Sequence, residues 1–188
     1  MIEASRVAAI VLAAGASRRF GDADKLSTSY RGRPLVTWAA RAATALPFRV
    51  VIGVVREEGT VAALLRESGV KVSFNAAAER GMGSSIAAGV TAAAAFDPDA
   101  CLILLGDMPS IATSHLGALL AAFEGEDDAV VSMSRGRCSP PSLFGRRHFE
   151  ALLALDGDEG ARALAMRAKT VEAADGVLGD IDRPADLG

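Results

Sequence analysis

Short, continuous apolar runs are separated along this chain by segments in which apolar residues recur at helical spacing. The first run, VAAIVLA at Val7–Ala13, leads into a glycine-containing loop, which is typical of a strand buried on both faces. Four later runs predict four more strands, over Arg49–Val55, Val70–Phe74, Ala100–Asp107 and Asp127–Met133.

Helical patterns fill the intervals between these runs. Leu35 and Trp38 begin one pattern between Pro34 and Pro47, and Pro34 stands where a helix often starts. Further helices are predicted over about 60–67, 84–95 and 113–123, and in the tail over 146–155 and 160–169, before a short strand and the terminal turn DIDRPADL. This alternation predicts a three-layer α/β fold with a mostly parallel sheet and right-handed crossovers, and residues 1–188 are expected to form one domain.

The composition excludes several classes of protein. Hydrophobic residues make up 51% and charged residues 23% of the 188 residues, which indicates a globular chain. The formal net charge of −3 is small and of the wrong sign for a protein that coats nucleic acid. Cys101 and Cys138 make no disulfide framework, and the N-terminus lacks the pattern of a secretory signal or a membrane span. These features predict a soluble, cytoplasmic protein.

The loop after the first strand is rich in glycine and basic residues. In sheets of this kind ligands bind at the carboxyl ends of the strands, which selects four loops, at 14–26, 75–85, 106–110 and 134–141. In the first, Gly15 allows a sharp turn and close approach of the backbone to a ligand, while Arg19 and Lys25 are suited to phosphate oxygens. The alternative is a solvated basic loop. The segment has neither the three-glycine dinucleotide pattern nor the Gly-Lys-Ser/Thr of a Walker loop.

The second loop, ERGMGSSIAAG, places Gly81 and Gly83 just before a predicted helix. Exposed N–H groups at a helix start, together with the hydroxyls of Ser84 and Ser85, suit the sugar or base of a nucleotide. The alternative is that Ser84 or Ser85 only caps the helix.

In the third loop a carboxylate, Asp107, stands at the end of an apolar strand and precedes Met108 and Pro109. A carboxylate there can bind Mg²⁺, which commonly takes one or two carboxylates together with phosphate oxygens. The alternative is a helix cap or a turn residue. A second carboxylate is available in the terminal motif GDIDRPADL, at Asp180 or Asp182.

Five motifs, in this order, carry a resemblance to a known family. LAAGASRRFG with DKL, then GMGSS, LLGDMP, GDEGAR and DIDRPADL span nearly the whole chain. They are similar to those of MobA-like nucleotidyltransferases, and within them of the molybdenum cofactor cytidylyltransferases. The resemblance implies a Rossmann-like nucleotidyltransferase domain that uses Mg²⁺ to transfer a nucleotidyl group from a nucleoside triphosphate, releasing pyrophosphate.

The resemblance also implies roles for individual residues. Arg19 and Lys25 would bind the triphosphate and, with Asp107, carry the catalysis, while Asp107 and Asp182 would hold the metal. The remaining nucleotide-binding positions would be Leu12, Ala13, Ala14 and Gly15, which contact base and phosphates, and Gly81, Gly83, Ser84 and Ser85, which line the pocket.

Two further features concern the substrates. Ala14 lies in a Leu-Ala-Ala-Gly opening, where guanylyltransferase relatives more often have Leu-Ala-Gly-Gly, so CTP is expected rather than GTP. The Arg-Gly-His-Pro stretch usual in the cytidylyltransferases is replaced at Arg137–Pro141, with Pro140 where histidine would fall. This departure bears on the acceptor, which the resemblance makes a phosphorylated, pterin-type molybdenum cofactor. A molybdenum hydroxylase would be the partner enzyme.

Other hypotheses stay open at this stage. One is a nucleotidyltransferase of the same fold that uses GTP or another phosphorylated acceptor, and another is a non-catalytic chaperone that delivers cofactor to a molybdenum hydroxylase. His115 and His148 are expected in surface or capping roles, and Cys138 as an idle thiol rather than a catalytic one. The segment GDEGARALA from Gly157 is either a helix start capped by Asp158 or part of the acceptor site.

Overall fold

The computed structural model describes residues 1–15, 24–157, 161–166 and 168–187. Its strands are β1 (Val7–Leu12), β2 (Ser29–Tyr30), β3 (Arg33–Pro34), β4 (Val50–Val55), β5 (Lys71–Phe74), β6 (Ala100–Leu105), β7 (Ala129–Ser134), β8 (Arg137–Gly145) and β9 (Lys169–Glu172). Its α-helices are α1 (Leu35–Thr44), α2 (Thr60–Glu67), α3 (Met82–Ala94), α4 (Thr113–Ala122), α5 (Phe149–Leu153) and α6 (Arg162–Ala165).

The main sheet has seven strands in the order β5-β4-β1-β6-β8-β7-β9. Within it β1 pairs in parallel with both β4 and β6, and β8 is antiparallel to its neighbours β6 and β7. The chain proceeds from β1 to β4 on one side and later returns to place β6 on the other. The strand order therefore reverses between β1 and β6, and in open α/β sheets ligands bind in the crevice at such a reversal.

Helices cover both faces of the sheet. Val11 and alternate residues of β1 pack with α1 and α4, whereas Ile10 and its alternates pack with α3 and α5. A Cβ added at Gly89 of α3 would contact Val54 at 3.1 Å, so this glycine allows the helix to lie close against the sheet. The predicted mostly parallel, three-layer architecture is confirmed.

The structure corrects three details of the sequence prediction. Residues 134–141, expected as a ligand-side loop, form a tight turn followed by the start of β8, with Arg135 and Gly136 at positive φ. A small β2–β3 hairpin also interrupts the expected alternation of strand and helix. The helix expected over 160–169 is an α-helix only at Arg162–Ala165 among the residues described there. At the turn between β7 and β8, the positive φ of both Arg135 and Gly136 is typical of a two-residue hairpin, and Gly136 is the sequence signal for it.

Candidate functional site

The carboxyl ends of β1 and β6 lie side by side at the point where the strand order reverses. Leu12 and Leu105 are partners in the parallel register, and the Gly106 N–H donates to the Leu12 carbonyl at 2.9 Å. A Cβ at Gly106 would lie 3.0 Å from that oxygen, so the close approach of the two backbones favours glycine here. Asp107 is thereby placed directly at the crevice.

The C-terminal segment reaches the crevice through one backbone hydrogen bond. The Ile181 N–H donates to the Asp107 carbonyl at 3.0 Å, and the Ile181 side chain is buried against the α1–α2 side of the core. Asp186 accepts hydrogen bonds from the Asp182 and Arg183 N–H groups at 3.1 and 2.8 Å, which fixes the following turn. Asp180 and Asp182 therefore flank a residue that is anchored in the core.

Lys25 begins a short 3₁₀ turn that returns the chain to the sheet after the first loop. Asp24 caps this turn by accepting from the Leu26 N–H at 2.9 Å, and the buried Leu26 side chain packs beside Leu35 and Val36. Because Leu26 is held in the core, its neighbour Lys25 projects towards the crevice with only 13% of its side chain exposed.

The three polar groups meet in the crevice. Lys25 Nζ lies 2.7 Å from Asp107 Oδ2 and 3.8 Å from Asp182 Oδ1. Asp180 is close enough to be affected by the same charges: burial raises its pKa, the Asp182 and Asp107 carboxylates raise it further, and Lys25 opposes them. Among the described residues, three carboxylates and one ammonium lie at the end of β6.

The donor set fits a divalent cation. Asp107 Oδ1 is buried and accepts no hydrogen bond from the described part of the chain, so one oxygen of this carboxylate lacks a partner. Within residues 1–15, 24–157, 161–166 and 168–187, no three His, Cys, Asp or Glu side chains are arranged as a complete metal site. Mg²⁺ needs no such cage, because it retains waters and takes substrate phosphate oxygens beside one or two carboxylates.

The glycine-and-serine loop is held by a residue that the sequence prediction did not single out. Asn75 donates through its side-chain amide to Ser84 Oγ at 2.9 Å and to Ser85 Oγ at 3.0 Å. Ser84 Oγ donates to backbone carbonyls, and the helix begins at Met82 with Gly81, at φ +103°, in the capping position. The alternative interpretation, in which Ser84 or Ser85 caps the helix, is therefore wrong. Both hydroxyls bond to Asn75 instead.

Gly83 is required by packing. A Cβ at this position would lie 2.8 Å from backbone atoms of Asp156, and the Gly83 N–H donates to the Gly157 carbonyl at 2.8 Å. Arg80 pairs with the Asp156 carboxylate at 2.6 Å. The segment before the GDEGAR motif is thus docked on the start of α3, and residues 158–160 of that motif lie outside the described chain.

A cavity of about 510 Å³ lies on the α3 side of the sheet, between α3, α6, β6 and β8. Its wall is mostly apolar, with Arg162, Asp180 and the serines of β8 as polar members. Asp180 links the cavity to the Lys25–Asp107 pair. The lining comprises Met82, Ile86, Ile103, Leu105, Val131, Cys138, Ser139, Pro140, Ser142, Phe144, Ala161, Arg162, Ala165, Met166 and Asp180.

The remaining predicted nucleotide positions differ in their surroundings. Arg19 lies outside the described residues. Leu12, Ala13 and Ala14 are all buried, so their side chains belong to the core and only their backbone is left to face a ligand. Gly15 does not have a positive φ, and no described heavy atom lies within 4 Å of its added Cβ. The residues that would complete a turn after Gly15 lie outside the described chain, so the expected sharp turn stays a prediction.

The histidine prediction requires one correction. His115 is buried rather than at the surface, with Nε2 2.8 Å from Ser132 Oγ, and burial lowers its pKa. His148 is exposed and its ring contacts the Asp127 carbonyl at 2.9 Å. Cys138 is exposed at the cavity, whereas Cys101 is buried and its pKa is raised to about 12 by burial.

Three residues that hold the site were missed from the sequence. Asn75 directly follows a strand at its ligand-side end, and Ile181 is the lone apolar residue between two aspartates. Asp186 stands three residues after Arg183, at the spacing of a turn cap. Each of these signals is common in loops, so none of them alone identifies a site.

No helix in the described part of the chain is long and apolar enough to cross a membrane.

Comparison with known proteins gives a family match over most of the chain. The family model described as MobA-like NTP transferase domain matches residues 9–172. The purine catabolism protein PucB of Bacillus subtilis is 31% identical over 191 residues, covering 94% of this chain and 92% of that protein.

Solved structures show the same fold at low sequence identity. A nucleotidyl transferase from Methanothermobacter superposes with a TM-score of 0.82 at 21% identity, covering 96% of this chain and 94% of that one. Rv0371c from Mycobacterium tuberculosis, in complex with manganese, gives 0.73 at 22% identity, with 96% and 95% covered. The inositol-1-phosphate CTP transferase from T. maritima gives 0.72 at 19% identity, with 100% and 94% covered.

Proposed function

The chain belongs to the MobA-like NTP transferase family, and from this premise we propose that it transfers CMP from CTP to a phosphorylated, molybdopterin-type cofactor with Mg²⁺ and releases pyrophosphate. The observation that carries the proposal is the position of Lys25 Nζ, 2.7 Å from Asp107 Oδ2 and 3.8 Å from Asp182 Oδ1 at the reversal of the strand order. Nucleotidyl transfer requires carboxylates that bind a metal ion and an ammonium that binds phosphate, close to one another. Asp107, Asp182 and Lys25 would supply these groups.

In this proposal Asp107 and Asp182 would hold Mg²⁺, and one donor atom would be Asp107 Oδ1, which accepts no hydrogen bond from the described residues. The bound ion supplies charge neutralisation for the triphosphate and the departing pyrophosphate. Lys25 gives up its contact with Asp107 and binds phosphate oxygens instead. Arg19 adds a second positive charge to the triphosphate.

The chain itself needs no general base for this reaction. The acceptor is a phosphate monoester, which is already anionic near neutral pH, so its oxygen attacks the α-phosphorus of CTP directly. A P–O bond forms to the acceptor phosphate as the bond to pyrophosphate breaks. The work of the site is to hold two anions in line, which is a matter of positioning and charge compensation.

The two substrates are assigned to two parts of the site. The backbone of Leu12–Gly15 and the loop of Gly81, Gly83, Ser84 and Ser85 are assigned to CTP. The cavity of about 510 Å³ is assigned to the acceptor, since its apolar walls suit a flat ring system and Arg162 offers a positive charge. The choice of CTP rests on the Leu-Ala-Ala-Gly opening at Leu12–Gly15.

The experiment is an assay of pyrophosphate release from CTP, GTP, ATP and UTP with Mg²⁺, each with and without molybdopterin cofactor. Release with CTP only when the cofactor is present is the expected result. Release with GTP instead, or release that persists in an Asp107→Ala variant, contradicts the proposal.

A second candidate is a non-catalytic chaperone that binds the cofactor for a molybdenum hydroxylase. The relative at 31% identity is named a purine catabolism protein rather than a transferase, which favours keeping this alternative. Tight binding of molybdopterin without pyrophosphate release from any nucleotide would support it. In either case we place the protein in the cytoplasm, with small-molecule ligands and a molybdenum hydroxylase as partner, and with no nucleic acid or membrane involved.

A further inference from the structure

The Pro140–Pro141 segment interrupts the pairing of β8 with β7. Val131 pairs with Ser142, but the next residue, Ser132, pairs with Ser139, so the two prolines have no partner in β7. The register of β8 with β6 also ends at Ser142. Prolines have no N–H to donate, and their carbonyls must find partners elsewhere.

Two side chains supply the missing contact. Ser132 Oγ, which is fully buried, donates to the Pro141 carbonyl at 2.7 Å. His115 of α4 then lies with Nε2 2.8 Å from the same Oγ. A hydroxyl has one proton, and here it goes to the carbonyl, so the histidine must be the donor to Ser132.

This chain of hydrogen bonds connects opposite faces of the sheet. His115 comes from α4, on the face packed by Leu116 and Val130. On the other face, Cys138, Ser139 and Pro140 line the cavity. The position of that wall therefore depends on a histidine that does not itself line the cavity.

We propose that His115 and Ser132 are positioning residues that hold the Cys138–Pro140 wall of the cavity and so set its fit to the second substrate. The link to the second substrate rests on the proposed function, whereas the effect on the wall does not.

Cys138 gives a readout of the wall that needs no substrate. It is exposed at the cavity, while Cys101 is fully buried with its pKa raised to about 12, so a thiol reagent such as DTNB reports on Cys138. The rate of labelling is measured in the whole protein for wild type, His115→Leu and Ser132→Ala. His115→Gln and Ser132→Thr are the matched controls, because they keep a donor and a hydroxyl, and Cys138→Ser verifies the labelled residue.

The expected result is at least threefold faster labelling in His115→Leu and Ser132→Ala, with His115→Gln and Ser132→Thr close to wild type. Thermal melting checks that each variant is folded, and Ser132→Ala keeps the test open if His115→Leu does not fold. Equal labelling rates in wild type and the folded His115→Leu or Ser132→Ala would overturn the proposal.

A second measurement separates positioning from a purely structural role. In the pyrophosphate assay, His115→Leu and Ser132→Ala are expected to raise KM for molybdopterin several-fold and to leave KM for CTP unchanged. An unchanged KM for molybdopterin, despite altered labelling, would overturn the link to the second substrate. Absence of turnover in wild type would count against the proposed function, and the labelling rates would still decide whether His115 holds the wall.

Discussion

Lys25 and Asp107 are 82 residues apart in the sequence, and their side chains meet at 2.7 Å at the end of β6. Each is mostly buried, with 13% and 20% of its side chain exposed. The ammonium therefore neutralises the carboxylate that the proposed function assigns to Mg²⁺. Cation binding and the Lys25–Asp107 contact are then in competition.

This competition predicts the behaviour of Lys25→Met in the absence of nucleotide. Removal of the ammonium takes away the group that competes with a metal ion for the Asp107 carboxylate, so Mn²⁺ is expected to bind at least fivefold more tightly than to wild type. Titration followed by electron paramagnetic resonance measures free Mn²⁺ directly. Asp107→Asn combined with Lys25→Met should abolish the gain, and a gain that persists would place the ion elsewhere.

The same residues are predicted to be essential for turnover. Asp107→Ala and Lys25→Ala are each expected to lower kcat by at least 100-fold, about 2.7 kcal/mol of transition-state stabilisation. Circular dichroism should show a folded protein in both cases, because neither side chain is part of the apolar core. Near-normal activity in either purified variant would exclude the site assignment.

Nucleotide selectivity is predicted to depend on Ala14. Its side chain is 3% exposed and packs on the α3 side of the core, beneath the backbone that we assign to CTP. Ala14→Gly should let this backbone shift and lower the ratio of kcat/KM for CTP over GTP by about tenfold, or 1.4 kcal/mol. An unchanged ratio would move the determinant of base choice to another residue.

Gly83 is predicted to be structural in addition to any role towards the nucleotide. Gly83→Ala would place a Cβ 2.8 Å from the Asp156 backbone, so unfolding free energy should fall by about 1–3 kcal/mol. Gly117→Ala in α4 is the control, because its Cβ meets no described atom within 4 Å, and there alanine should stabilise by about 0.5–1 kcal/mol. Urea unfolding measures both. Equal effects at the two positions would contradict the packing argument.

We expect His115 to make the folding stability of the protein sensitive to acid. Burial lowers its pKa in the folded state, so the unfolded chain binds a proton more readily than the folded one. Its contribution is present above the ordinary histidine pKa of about 6.5 and is lost as pH falls from there. Melting temperatures from pH 8 to 5 should drop more steeply for wild type than for His115→Gln. Parallel curves would show that the ring does not titrate in this range.

The strands that could be predicted from the sequence are those with a clear local hydrophobic pattern. Long apolar runs such as Val7–Leu12 are visible because a strand buried on both faces has one hydrophobic pattern. The strand β8 was missed since its first half, Arg137–Pro141, is short of apolar residues and holds two prolines, which usually mark loops. The Pro141 carbonyl is bonded by Ser132 Oγ, which in turn contacts His115 of α4, and a hydrophobic pattern cannot show these contacts.

In the candidate site, too, local signals could be identified from the sequence and tertiary contacts could not. Asp107 was identifiable because a carboxylate at the end of an apolar strand is a local signal. The contacts that aim it, from Lys25 and from the Ile181 N–H, come from opposite ends of the chain. The role of Asn75 likewise becomes visible only through its hydrogen bond to Ser84 of α3. Tertiary contacts of this kind leave no periodic trace in a sequence.

The docking of Ile181 on Asp107 also affects how the protein is handled. A fragment that ends before Gly179 would retain every strand of the main sheet yet lack Asp182 and the anchor beside it. Such a clipped chain would look intact by spectroscopy and would still carry most of its core. A preparation partly trimmed by a protease would therefore contain folded but incomplete sites, and its specific activity would measure the intact fraction rather than the folded one.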